Sequence, residues 1–141
     1  MPVPYTRRVE PSALARFVRD VLGCGCPEEI LRSITVDRGH LVPGLDVEVT
    51  RLDVGGRLLA YVAPAPASQP LCEVVAAAIA AGTGERDRLA FNRFRFVLAT
   101  ADPRALEESA RAAFAACNRP DERVHLHVVD LADVPPAVLG H

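Results

Sequence analysis

The chain has 141 residues, of which half are hydrophobic and 24% charged, and its net charge of −2 comes with a pI near 6.1 and a mean hydropathy of +0.15. That balance excludes a disordered chain, and it supplies no global positive field for holding a nucleic acid or an anionic membrane. Residues 1–141 are expected to form a single domain.

Leu14, Phe17, Val18, Val21 and Leu22 repeat at the spacing of one helical face, which predicts a first helix that stops at Gly23. Pro27 suits the first turn of a second short helix with Ile30, Leu31 and Ile34 on one side, so the N-terminal helical segment over 11–35 reads as a helical hairpin. A mixed α/β body is expected over 45–131. Leu45, Val47 and Val49 alternate with polar residues, and Gly55-Gly56 turns the chain into Leu58 to Val62, which predicts a β-hairpin. A mostly buried helix is expected from Ser68 to Ala81, then a polar loop from Gly82 to Asp87, then a strand from Phe91 to Thr100. Asp102-Pro103 signals the N-cap and first turn of a helix that runs to Ala116 and stops at Asn118-Arg119-Pro120. Val124 to Asp130 is the last strand, followed by a short Pro-containing tail over 132–141.

This order predicts an α/β fold, with α+β as the alternative: a two-layer sandwich whose mixed sheet of about four strands carries helices on one face. Arg93 and Arg95 share one side of their strand and His125 and His127 one side of theirs, while Phe94, Phe96, Leu126 and Val128 point the other way. Such alternation implies one packed and one polar face. On the polar face Arg93, Arg95, His125 and His127 form a candidate surface for binding an anion or a partner, with Arg51 a further candidate. Val97 and Val129 lie among them, which suggests a homo-oligomer.

Cys24-Gly25-Cys26-Pro27 places two thiols on a flexible turn, where they can meet one metal ion or each other. Cys72 is the third candidate, in the first turn of its helix, and Cys117 continues an apolar helical stripe. Together the thiols would suit zinc or an iron–sulfur cluster. The His125-Leu126-His127 pair, with His40 and Asp37, is a second candidate metal set. Four cysteines are too few for a secreted disulfide scaffold, and a reducing compartment would keep them as thiols, metal ligands or core residues. Arg7, Arg8 and Glu10 interrupt the N-terminal segment and no long apolar run follows, so neither a signal peptide nor a membrane span is expected and the expected compartment is the cytoplasm.

All 16 basic residues are Arg, which excludes Schiff-base chemistry and a phosphate-loop lysine. The Arg93-Phe94-Arg95-Phe96 stretch sends its rings inward, away from any base they could stack on, so nucleic-acid binding is not expected. No serine elbow or acid–base pair stands out, and the sequence identifies no catalytic residue. The expectation is a small cytosolic binding or interaction module, with a metal-binding or thiol-redox protein centred on the Cys-Gly-Cys-Pro turn as the alternative.

Overall fold

The computed structural model describes residues 11–23, 25–117 and 121–139. Cys24, the charged residues Arg7, Arg8 and Glu10, and the Asn118-Arg119-Pro120 helix stop lie outside them. Helix α1 (Pro11–Arg16) widens into a π-helical turn over Phe17–Val21, and α2 (Glu28–Leu31) is a single turn. Then come β1 (Ile34–His40), β2 (Val49–Val54), β3 (Leu58–Pro64), α3 (Leu71–Leu89), β4 (Arg93–Thr100), α4 (Pro103–Cys117), β5 (Val124–Asp130), a 3-10 turn (Leu131–Asp133) and α5 (Pro136–Leu139).

The fold is α/β with an open mixed sheet, as the sequence implies. Its five strands lie side by side in chain order; β1, β2 and β3 pair antiparallel, and β3, β4 and β5 pair parallel. The fifth strand, β1, takes Ile34 and Thr35 from the end of the expected helical segment and runs on through residues 36–40, for which no element is expected. Ile34, Thr35 and Val36 carry branched Cβ atoms that suit a pleat better than a helix, and they pair with Val54, Asp53 and Leu52. Gly55 and Gly56 form the expected β2–β3 turn, both with positive φ, and the Asp53 carboxylate accepts from the Gly56 amide.

The expectation of helices on one face only is corrected. Leu59, Tyr61, Phe94, Phe96 and Leu98 pack under α3 and α4, whereas Leu58, Ala60, Val62, Val97 and Ala99 pack on the other side against Leu14, Phe17 and Val18 of the N-terminal helix and Val138 of α5. The Thr50 hydroxyl donates to the Val138 carbonyl and ties α5 to β2. The continuous apolar run of β3 is the pattern of a strand buried on both sides. Val97 is wholly buried by this chain, and Val129 packs in the same cluster, so the uncovered apolar face expected to support a homo-oligomer is not present there.

The polar loop expected at Gly82–Asp87 is also corrected, because α3 runs through it to Leu89 and ends on Ala90 in the left-handed conformation. Thr83 satisfies its hydroxyl on the Ile79 carbonyl within the helix. Gly82 lets α3 lie close against β4, since a Cβ there would sit 2.0 Å from the Phe94 ring. No helix among the described residues is long and apolar enough to cross a membrane.

Candidate functional site: an arginine pocket on the second sheet face

Arg95 sits near the start of β4 with Ala60 and His125 as its cross-strand neighbours. Its side lies on the face covered by α1 and α5, but towards the end of the sheet where the helical cover gives way to the loop before α2. Small Ala60 leaves room there for the guanidinium. Arg95 is only 6% exposed, and its Nε has no hydrogen-bond partner. Its Nη1 lies 3.4 Å from His127 Nε2. No carboxylate among the described residues pairs with it.

Arg95 lines a cavity of about 200 Å³ together with Arg57, Arg93, Asn92 and the Gly25-Cys26-Pro27 loop. Three arginines therefore line a cavity to whose wall no acidic residue among the described residues contributes. Burial and the charge of Arg93 push the Arg95 pKa down from its ordinary value, the signature of a cation that lacks a counter-ion. A guanidinium stays protonated in proteins all the same. Burial, and after it the charge of Arg95, push His127 down to about 4. A neutral imidazole can then accept from Arg95 at Nε2. His125 is exposed at the edge of this group and is lowered by burial and then by Arg95 and Arg93.

His127 makes the fold pH-sensitive in a defined direction. Its folded pKa of about 4 lies below the ordinary 6.5, so the unfolded chain binds more protons between those values and stability is lost as pH falls from 6.5 towards 4. The slope from this group is at most about 1.4 kcal/mol per pH unit. Urea titrations across that range are expected to show a flatter profile in His127→Gln. A profile as steep as the parent's would show that His127 is not the group responsible.

Arg51, considered for the same face, lies on the opposite one. It donates from Nε to Glu85 at 2.8 Å, and the Tyr61 hydroxyl donates to the other Glu85 oxygen. His40 Nε2 stands 3.9 Å from Glu85, and its Nδ1 stands 3.8 Å from Asp37. Phe94 meets Tyr61 edge-on, and Phe91 lies under the Arg51 guanidinium. Local pattern does not reveal this cluster, because it puts Glu85 in a loop. Burial raises the Glu85 pKa, but hydrogen bonds from Tyr61 and Arg51 and the Arg51 charge outweigh it and hold the carboxyl below its ordinary value, while burial and Glu85 raise Tyr61. With every acceptor engaged and aromatic rings on both sides, the cluster is an ionic clamp between α3 and the sheet.

The clamp gives an expected outcome. Glu85→Gln should cost about 3 kcal/mol at neutral pH, because it leaves Arg51 without its anion. A group with a depressed pKa contributes stability above the ordinary carboxylate range and loses it as pH falls through the folded value. The gap between variant and parent, read from urea midpoints, should therefore close in acid, and a gap independent of pH would contradict the ionic assignment.

The cysteines do not converge. Cys26 is disulfide-bonded and half-buried on the second face. Cys72 is a free, exposed thiol in the first turn of α3, the helix that covers the other face. Cys117 is free, donates to the Phe114 carbonyl and packs at the core edge, where burial raises its pKa. His40 and Asp37 lie on β1, with three strands between them and His125 and His127 on β5. Among the described residues no group of three or more His, Cys, Asp and Glu side chains could hold a metal ion.

Asp102 accepts from the Ala105 amide as the expected cap of α4, and Asp130 caps the 3-10 turn. The strand order never reverses, so the sheet has no topological switch point, and the cavity of about 560 Å³ beside Pro64 at the end of β3 and Leu131 after β5 has Glu48 in its wall. The arginine pocket lies at the amino ends of the parallel strands. The chain matches no protein-family model, and comparison with curated proteins and with solved structures gives no match either.

Proposed function

We propose that this protein is a binding module for a small anionic ligand, held by Arg95 at the base of the pocket and by Arg57 and Arg93 at its mouth. The observation that carries this reading is the buried, carboxylate-free guanidinium of Arg95 with an unused Nε donor. A buried donor left unmade costs about 1–3 kcal/mol. Such a group is retained at a loss to stability unless a ligand uses it, and a guanidinium presents a planar fork that matches a carboxylate or phosphate. Isothermal titration with phosphate and with citrate tests the reading. Binding should weaken as salt rises and disappear in Arg95→Met. Heats of dilution alone for both anions would refute it.

A second reading, a thiol–disulfide protein, is favoured by the disulfide state of Cys26. Disulfides in a reducing compartment are usually transient, catalytic or redox-sensing.

A further inference from the structure

We propose that these two readings describe one site: the arginine pocket takes a small thiol that carries a carboxylate, sulfonate or phosphate, and Cys26 Sγ is the atom that thiol attacks. The proposal rests on the anion-binding reading and goes further by naming the substrate class and the reaction.

Three observations carry it. Cys26 lines the same cavity as Arg57, Arg93 and Arg95, so an anion drawn to the guanidinium groups arrives beside this residue. Cys26 is disulfide-bonded, and half-buried rather than sealed in the core, which leaves an electrophilic sulfur within reach. Arg95 has an unused donor and pairs with no carboxylate among the described residues, none of which adds an acidic side chain to the cavity wall, so the pocket carries a positive field. Thiolates, not thiols, attack disulfides, and cationic surroundings favour the thiolate form of an incoming thiol. The same charges would hold the anionic head of the ligand while its sulfur reacts.

The step balances without any other reagent. The ligand thiolate forms a sulfur–sulfur bond to Cys26, the bond from Cys26 to its protein partner breaks, and the electron pair leaves on the partner sulfur as a thiolate. A second ligand thiolate then attacks the ligand sulfur of this mixed disulfide, and Cys26 departs as a thiolate. Two ligand thiols are oxidised to one disulfide, and the protein disulfide is reduced by the two electrons they give up. The reverse sequence oxidises the protein at the expense of an anionic disulfide.

Three thiols with the same two-carbon chain and different head groups provide the test: mercaptoethanesulfonate, mercaptoethanol and cysteamine. The full-length oxidised protein is mixed with each at low salt, quenched in acid and mapped by mass spectrometry, and rate constants are expressed per thiolate to remove differences in thiol pKa. The adduct should map to Cys26, with the anionic thiol fastest and the cationic one slowest by roughly tenfold or more. The spread should shrink at high salt and in Arg57→Gln, a change at an exposed side chain that leaves the buried Arg95 in place. Equal rates per thiolate, a reversed order, or an adduct that maps elsewhere would overturn the proposal. If phosphate binds in an Arg95-dependent way while the three rates are level, the exchange proposal alone falls. Level rates together with no phosphate binding remove both.

Discussion

Arg95→Met is expected to raise the stability of the free protein by about 1–2 kcal/mol while it abolishes anion binding. Most substitutions of a buried residue lower stability, so the opposite sign is informative. Arg95 is 6% exposed, has an unpartnered Nε and pairs with no carboxylate among the described residues, and its hydrogen-bond neighbour His127 is neutral at physiological pH. Met keeps the unbranched apolar stem, fits irregular space and removes the desolvated charge. His127 loses a donor, but its contact with Arg95 is long at 3.4 Å. Arg57→Met provides the contrast, since Arg57 is exposed and its loss should weaken binding without stabilising the fold. Urea midpoints and calorimetric titrations on the same preparations would read both quantities. Simultaneous loss of stability and binding in Arg95→Met would mean that Arg95 serves the fold, and the binding proposal would lose its main support.

Gly82→Ala and Gly84→Ala should move stability in opposite directions although they lie two residues apart in one helix. A Cβ at Gly82 would meet Phe94 Cζ at 2.0 Å, and the Phe94 ring is fully buried with its neighbour Tyr61 fixed by Glu85. Overpacking of this kind costs about 3 kcal/mol, more than the roughly 1 kcal/mol that Ala gains over Gly in a helix. Nothing lies within 4 Å of a Cβ at Gly84, which is exposed, so Gly84→Ala should stabilise by about 1 kcal/mol. Phe94→Leu should recover part of the Gly82→Ala loss in a double-mutant cycle. Equal effects at the two glycines would mean that α3 does not rest on β4 at Gly82.

The same pair shows why α3 is longer than its local sequence predicts. Gly82-Thr83-Gly84-Glu85-Arg86-Asp87 has the composition of a loop, and propensity alone opposes a helix there. The opposing forces are non-local: Gly82 against Phe94, Glu85 against Arg51 and Tyr61, and Arg86 with Asp121 at 3.0 Å. None of these contacts exists until the sheet has formed. A local reading has no access to them.

Elements governed by neighbours in sequence were legible. The period-two alternation of β4 and β5, the Gly55-Gly56 turn and the Asp102 cap each depend on side chains within a few residues of one another. The alternation put Arg93 and Arg95 on one side of β4 and His125 and His127 on one side of β5, and the register Arg95 to His125 places the two sets next to each other. What covers that side was decided by tertiary structure. Helices α1 and α5 come from opposite ends of the chain and close over β2, β3 and the far half of β4, which leaves Arg95 buried and Arg93 and His125 exposed. Residue types and strand parity are local properties and can be read from the chain itself. The pocket that joins Cys26, Arg57 and Arg95 depends on which segments, tens of residues apart, come to rest on the same sheet face, and only the fold determines that.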